Sequence, residues 1–284
     1  MKQVIVICGP TASGKTSLSI KLAKHYHLDV INGDSVQIFK GYDIGSAKIK
    51  KKEKQGIIHH LIDIKAPYDT YDVSKFQKDV RHIIDQHSLS MIVGGTGLYI
   101  KAALYDYQFY EEDDKPNIDF PSVEDMAETI LKADPNVTLD LNNIKRVKRM
   151  YQKVRNGQKP SKNTFKDKPL FDILTLYLDI PRDVLKERLI QRLDDQIDQG
   201  FIEEVQTLSK HGTVKDVIGY REIKAYLDQR MTLQEAKAEI IKKSMAFAKR
   251  QRTWFVNQMH PVIIDGLSKD ILERCIKEMD AWKK

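Results

Sequence analysis

The chain opens on an unbroken apolar run, Val4-Ile5-Val6-Ile7-Cys8. A short run without polar alternation predicts a strand covered on both faces, as in a parallel sheet. The period then changes. Leu18, Leu22 and Tyr26 recur at helical spacing, and Val30-Ile31 begins a second short strand that ends near Asp34. Val73, Phe76, Val80 and Ile83-Ile84 mark another helix, and Met91-Ile92-Val93 a third buried strand. Strands and helices in alternation predict an α/β fold with a parallel sheet flanked by helices.

The alternation is interrupted and then resumes. From Asp106 to Asp140 there are eleven acids and two bases, and from Lys145 to Lys168 ten bases and one acid. Such abrupt charge blocks predict a small helical insertion outside the core, placed at 105–169, with the core formed by 1–104 and 170–284. Ser122 is positioned to cap a helix running through Leu131. Ile144, Val147 and Tyr151 predict a second helix whose other face is basic, ended by Gly157 and Pro160. Strand character returns over Phe171–Leu178. Pro181 opens a helix with Leu185, Leu189, Leu193 and Ile197 at steps of four. Thr232-Leu233-Gln234-Glu235 is a capping box for a long helix reaching about Met259. Val262-Ile263-Ile264 reads as the last strand, followed by a closing helix.

Composition adds an electrostatic term. The 284 residues carry a net charge of +7, with 41% hydrophobic and 31% charged residues. A basic balance fits either an ordinary enzyme or an anionic partner such as nucleic acid, so its distribution decides. No Cys/His cluster has zinc spacing, and Cys8 reads as core. A core of this size needs no disulfide, and the expected compartment is reducing. No apolar run approaches the roughly 20 residues of a membrane span. Met1-Lys2-Gln3 leads directly into the first strand, which leaves no space for a signal peptide. The expectation is a cytoplasmic monomer with no membrane contact. The basic run Lys48 to Lys54 is expected to be a solvated loop.

The strongest chemical signal is Gly9-Pro10-Thr11-Ala12-Ser13-Gly14-Lys15-Thr16, a P-loop pattern lying after a strand and before a helix. Glycines let consecutive N–H groups turn toward a phosphate, and the helix N-terminus adds its positive end. Lys15 neutralises phosphate oxygens, and Thr16 is placed to ligate Mg²⁺. P-loop enzymes that cleave ATP or GTP usually place an acid at the end of a neighbouring strand. Here the third strand ends in Gly94-Gly95-Thr96, without one, while the second ends at Asp34. An acid there faces the crevice beyond the strand ends and is suited to act as a general base. A helix-capping or turn role for Asp34 fits its spacing equally well.

Six ordered stretches together resemble the tRNA dimethylallyltransferase family. They are Gly9 to Thr16, Asp34-Ser35-Val36-Gln37, Gly41-Tyr-Asp-Ile-Gly-Ser-Ala-Lys48, Val93-Gly-Gly-Thr-Gly-Leu-Tyr-Ile100, Ile218-Gly-Tyr-Arg-Glu222 and Ala248-Lys-Arg-Gln-Arg-Thr-Trp-Phe255. The resemblance implies transfer of a dimethylallyl group from dimethylallyl diphosphate to the exocyclic N6 of the adenosine just 3′ of the anticodon. It implies that the loop Gly9–Thr16 holds the donor's diphosphate rather than ATP or another nucleotide. Asp34 then takes the amine's proton, and Thr96 sits at the reaction centre. Ser35, Val36 and Gln37 line the pocket for the flipped base. Arg146, Arg149 and the segment around Gly219, Tyr220 and Arg221 contact tRNA. Tyr151 and Tyr220 are offered as stacking partners for bases, with packing the competing role, and Trp254 and Phe255 are expected to pack. By analogy with the lids of P-loop kinases, Arg188 and Arg192, one turn apart, close over the diphosphate. The segment between Leu104 and Asn143 is shorter than the family's insertion, with the shortening placed at Asp113-Asp114-Lys115-Pro116.

Two other readings compete. A small-molecule or nucleoside kinase using ATP also fits the P-loop, Asp34 and the arginine lid. A non-catalytic RNA-binding protein fits the basic blocks.

Overall fold

A computed structural model describes residues 1–107, 109, 120–162, 166–212 and 214–283. The run Asp113–Pro116 lies outside the described residues. The chain divides into two compact units, Met1–Tyr105 with Pro169–Lys284, and Asp106–Lys168.

The larger unit is built on a six-stranded parallel sheet. Its strands are β1 (Gln3–Cys8), β2 (Val30–Asn32), β3 (His59–His60), β4 (Leu89–Gly94), β7 (Asp172–Asp179) and β8 (Val262–Asp265), in the order β3-β2-β4-β1-β7-β8, while the short β5 (Tyr105–Asp106) and β6 (Lys166–Pro169) pair in a separate two-stranded sheet. The apolar run that opens the chain is the central strand, with Ile5 level with Met91 on one side and Leu174 on the other. Its alternate side chains enter two separate cores. Val4, Val6 and Cys8 face one cluster with Ile92, Phe76 and Phe255. Ile5 and Ile7 face the other with Leu18, Leu22 and Met279. A strand buried on both faces needs apolar residues at every position, which is why no alternation appears in the sequence.

Helices cover both faces. On one side lie α1 (Lys15–Tyr26) and α10 (Ile271–Trp282). The other core is filled by α2 (Val73–Asp85), α3 (Gly97–Leu104), α7 (Phe201–Lys210), α8 (Tyr220–Leu227) and α9 (Leu233–Met259). Helix α6 (Arg182–Asp198) packs through Leu185 and Leu189 against Met245 and Ala248 of α9. The expected capping box opens α9: Thr232 Oγ1 accepts from Glu235 N at 3.2 Å, and Glu235 accepts from Thr232 N at 2.7 Å. The strand order reverses around β1, so a crevice opens beyond the carboxyl ends of β1, β2 and β4.

One close approach fixes that end of the sheet. A Cβ on Gly94 would stand 2.2 Å from the carbonyl carbon of Gly33, so only glycine lets the two strand ends touch. Gly33 N donates to Val93 O and Thr96 N donates to Gly33 O.

The smaller unit contains α4 (Val123–Ala133) and α5 (Ile144–Arg155). Ser122 caps α4 by accepting from Asp125 N, as expected. Met126, Ile130, Val147 and Tyr151 form its core, which makes Tyr151 a packing residue and not a surface for stacking.

Candidate active site

The P-loop joins β1 to α1. Gly9 (φ 149°), Ala12 (φ 65°) and Gly14 (φ 88°) adopt backbone conformations that turn the loop around a central space. A Cβ on Gly9 would stand 2.8 Å from Leu178 O, so the loop is seated against β7. Lys15 Nζ donates to the carbonyls of Gly9 at 2.9 Å and Pro10 at 2.6 Å. Burial and the neighbouring Arg192 guanidinium lower its pKa to about 8, against the pull of Asp34 and Cys8. Ser13 is buried, and its hydroxyl has no hydrogen-bond partner among the described residues. A buried orphan hydroxyl on a P-loop at the start of a helix is a position that a phosphate oxygen would satisfy.

Around this loop lies a cavity of about 300 Å³, lined by Gly9, Thr11–Ser17, Asn32, Asp34, Gln37, Thr96 and Arg192. Pro10 lines neither this cavity nor its neighbour and contributes only its carbonyl to Lys15. Thr16 offers the phosphate space a hydroxyl, a hard oxygen donor suited to Mg²⁺.

A second cavity of about 450 Å³ adjoins the first, with Asp34, Ser46, Ala47, Thr96, Arg192, Phe247 and Gln251 in the walls of both. Ser35, Val36, Gly219, Tyr220 and Arg221 line only the second, beside the apolar side chains of Leu193, Phe201 and Ile241. The first cavity is thus bounded by the P-loop and Lys15, and the second has a partly apolar wall. Asp34 stands where they meet.

Asp34 lies just past the end of β2. Its carboxylate accepts from Val36 N at 2.8 Å, and its own amide donates to Asn32 Oδ1 at 3.0 Å. Burial raises its pKa above the ordinary carboxylate value, although the Val36 amide, Lys15, the Gln37 amide and Lys48 all pull the other way. A raised pKa makes the ionised form a stronger base. Asp34 caps its own turn and also lines both cavities.

Thr96 stands at the N-terminus of α3, and its hydroxyl is tied to the same turn. Its Oγ1 accepts from Ser35 N at 3.2 Å and lies 3.5 Å from Ser35 Oγ. Gln37 is fixed by donating to Ser46 O at 3.1 Å. The two lid arginines differ. Arg192 faces both cavities, whereas Arg188 donates to Ala12 O at 3.3 Å and braces the P-loop from behind.

Several expectations change. Lys48 is buried, not solvated: its ammonium donates to Phe39 O at 2.7 Å and pairs with Asp43 at 2.6 Å and with Asp63. Charge density had marked it as loop surface, but two carboxylates and a carbonyl compensate its burial. Tyr220 is only 1% exposed, packed between Tyr42 and Phe201, with its hydroxyl donating to Glu204 at 2.6 Å. It walls the cavity and presents no open face for stacking. Arg221 is half-exposed, with its guanidinium engaged by Asp216 and Glu222. Gly219 N donates to Glu222 Oε2 at 2.7 Å at the start of α8. Phe255 is fully buried and Trp254 packs over Gly97, as expected.

The sequence reading missed Glu204. Its carboxylate accepts from the amides of Asp43 (3.0 Å), Ile44 (2.7 Å) and Gly45 (3.1 Å) as well as from Tyr220. It holds the Gly41–Lys48 stretch against α7 and α8, and Ser46 and Ala47 of that stretch wall both cavities. The cluster of Asp29, His60 and His87 has metal-ligand chemistry, but Asp29 and His87 precede β2 and β4, whereas the cavities open past the other ends of those strands.

In the smaller unit, Arg146 and Arg149 lie on the exposed face of α5, opposite Val147 and Tyr151. Among the described residues, no helix is long and apolar enough to cross a membrane.

Comparisons with known proteins converge on one family. The family described as IPP transferase matches residues 37–258, and that described as isopentenyl transferase matches residues 2–66. A tRNA dimethylallyltransferase of Acholeplasma laidlawii is 50% identical over 279 residues, 98% of each chain. The crystal structure of a tRNA isopentenylpyrophosphate transferase from Staphylococcus epidermidis superposes with a TM-score of 0.75 at 30% identity, covering 99% of this chain and 100% of that one. A eukaryotic dimethylallyltransferase acting on tRNA gives 0.84 at 26% identity, covering 97% of this chain and 78% of its own.

Proposed function

This chain belongs to the IPP transferase family, and on that premise we propose that it is a tRNA dimethylallyltransferase. The reaction joins the allylic C1 of dimethylallyl diphosphate to N6 of the adenosine 3′-adjacent to the anticodon. The C1–O bond breaks, diphosphate leaves with the electron pair, and the amine loses one proton. The observation that carries this reading is the position of Asp34, a carboxylate at the junction of a phosphate cavity and a base-sized cavity.

Each element of the site meets a need of that reaction. The exocyclic amine of adenine is a weak nucleophile because its lone pair is delocalised into the ring. A carboxylate positioned to take its proton in the transition state contributes on the order of 10²–10⁴-fold. Lys15, the P-loop amides, the Ser13 hydroxyl and Arg192 receive the charge that accumulates on the leaving diphosphate. The Thr16 hydroxyl, with diphosphate oxygens, would hold Mg²⁺, which would supply further neutralisation of that leaving group. Thr96, tied to Ser35, keeps the turn bearing Asp34 against the cavity. A stacked base cannot enter such a site, so the adenosine is flipped out at a cost of a few kcal/mol. The exposed arginines of α5, Arg146 and Arg149, are assigned to phosphates of the anticodon stem-loop.

An ATP-using kinase is disfavoured by Gly94-Gly95-Thr96, which leaves no acid at the end of β4 for metal and water. The test is single-turnover transfer by Asp34→Asn. The rate should fall by about 10²–10⁴-fold while donor and tRNA binding persist. A variant transferring at the wild-type rate would remove Asp34 as the base.

A further inference from the structure

Helix α9 runs past the junction of the two cavities and presents Gln251 there. The residue is more than nine-tenths buried, at 8% exposure. Its Nε2 donates to Gly95 O at 2.8 Å, which fixes the amide's orientation and commits its nitrogen. The Oε1 is buried and has no hydrogen-bond partner among the described residues. A Cβ on Gly95 would stand 2.5 Å from Nε2, so the contact between helix and loop is also sterically specified.

A buried carbonyl oxygen without a partner costs about 1–3 kcal/mol, so its persistence at a cavity wall points to a ligand that donates to it. Resting on the proposed reaction, the choice of ligand is narrow. The prenyl donor is a hydrocarbon chain on an ionised diphosphate and has no hydrogen to give. Only the acceptor nucleoside carries N–H and O–H groups. Its exocyclic amine has two hydrogens, and Asp34 takes one. We propose that Gln251 Oε1 accepts the other, making Gln251 a specificity-determining contact for the amine of the target base.

The consequence is chemical as well as selective. An amine held at both hydrogens has its plane fixed, so the face of the nitrogen is aimed at the allylic carbon. A neutral amide accepts without competing for the proton, which goes to Asp34 alone. A base with a carbonyl at the same position would set oxygen against oxygen and be rejected.

The test is a cycle between protein and base. Wild type and Gln251→Met bind anticodon stem-loops carrying adenosine or purine riboside, which lacks the amine, at the target position. Loss of the amine should weaken wild type about tenfold more than the variant. Gln251→Glu keeps an oxygen acceptor while losing the donation to Gly95, and should discriminate as wild type does. An equal penalty in wild type and Gln251→Met, or a Glu variant behaving like Met, would overturn the proposal and leave Gln251 as a brace for Gly95. Coupling to a 2′-deoxy substitution instead of the amine would also overturn it, because Oε1 would then serve the ribose. Wild type is assayed for transfer to the same adenosine loop. Failure there sinks the proposed reaction, whereas transfer without coupling sinks only the role of Gln251.

Discussion

Substituting Glu204 by Gln removes one charge and leaves the shape of the side chain intact. The carboxylate faces three backbone amides and the Tyr220 hydroxyl. A glutamine oxygen placed toward Asp43 and Ile44 still accepts both, and its NH₂ can donate to Tyr220, but Gly45 N–H then faces another donor. Hydrogen bonds to charged groups contribute about 1.5–3 kcal/mol and neutral ones about 1 kcal/mol. Neutralising the bonds that survive and orphaning one amide sums to about 2 kcal/mol, after allowance for the half-exposed site. For a chain of this size that lowers Tm by about 3–4 °C in a calorimetric scan. The kinetic effect should fall mainly on the RNA side, because Gly45, whose amide is orphaned, and Tyr220 line only the second cavity. KM for an anticodon stem-loop should rise about tenfold, with donor affinity within about twofold of wild type. A Tm within one degree of wild type, or equal losses for donor and RNA, would refute the reasoning.

Two further outcomes follow from charge. Transfer should depend on pH as a bell: Asp34 must be ionised, so activity is lost as pH falls through its raised pKa, and Lys15 must be protonated, so donor affinity declines about tenfold per unit as pH rises beyond about 8. Donor affinity that stays flat from pH 7 to 10 would contradict the role of Lys15. Arg146→Ala should flatten the salt dependence of tRNA binding by about 0.7–0.9 in log–log slope, measured by titration at several salt concentrations. An unchanged slope would take Arg146 out of the RNA footprint.

The parts of the fold legible in sequence are those governed by local pattern. The central strand, the P-loop turn, the helix caps at Ser122 and Thr232 and the two-helix insertion are set by residues within a few positions of one another. Asp34 was recognisable because it ends a buried strand beside a phosphate loop. What escaped the sequence depends on distant partners. Glu204 reads as one more acid on an amphipathic helix, yet its partners are amides about 160 residues away. Lys48 sits in a lysine-rich run, and only the fold brings Asp43 and Asp63 around it. Gln251 lies in a basic stretch whose neighbours suggest RNA, while the helix turns it inward onto Gly95. The two-residue strand β3 has too few positions to show a period, and α8 is announced only by the left-handed glycine at 219.

The central claim is the reaction itself. The protein is incubated with Mg²⁺, dimethylallyl diphosphate and unmodified tRNA, the RNA is digested, and its nucleosides are analysed by mass spectrometry. The account predicts an adenosine heavier by one dimethylallyl group, located 3′ of the anticodon, which collapses when Asp34→Asn replaces wild type. Folded protein that binds the donor and a broad tRNA pool but yields no prenylated adenosine would contradict it.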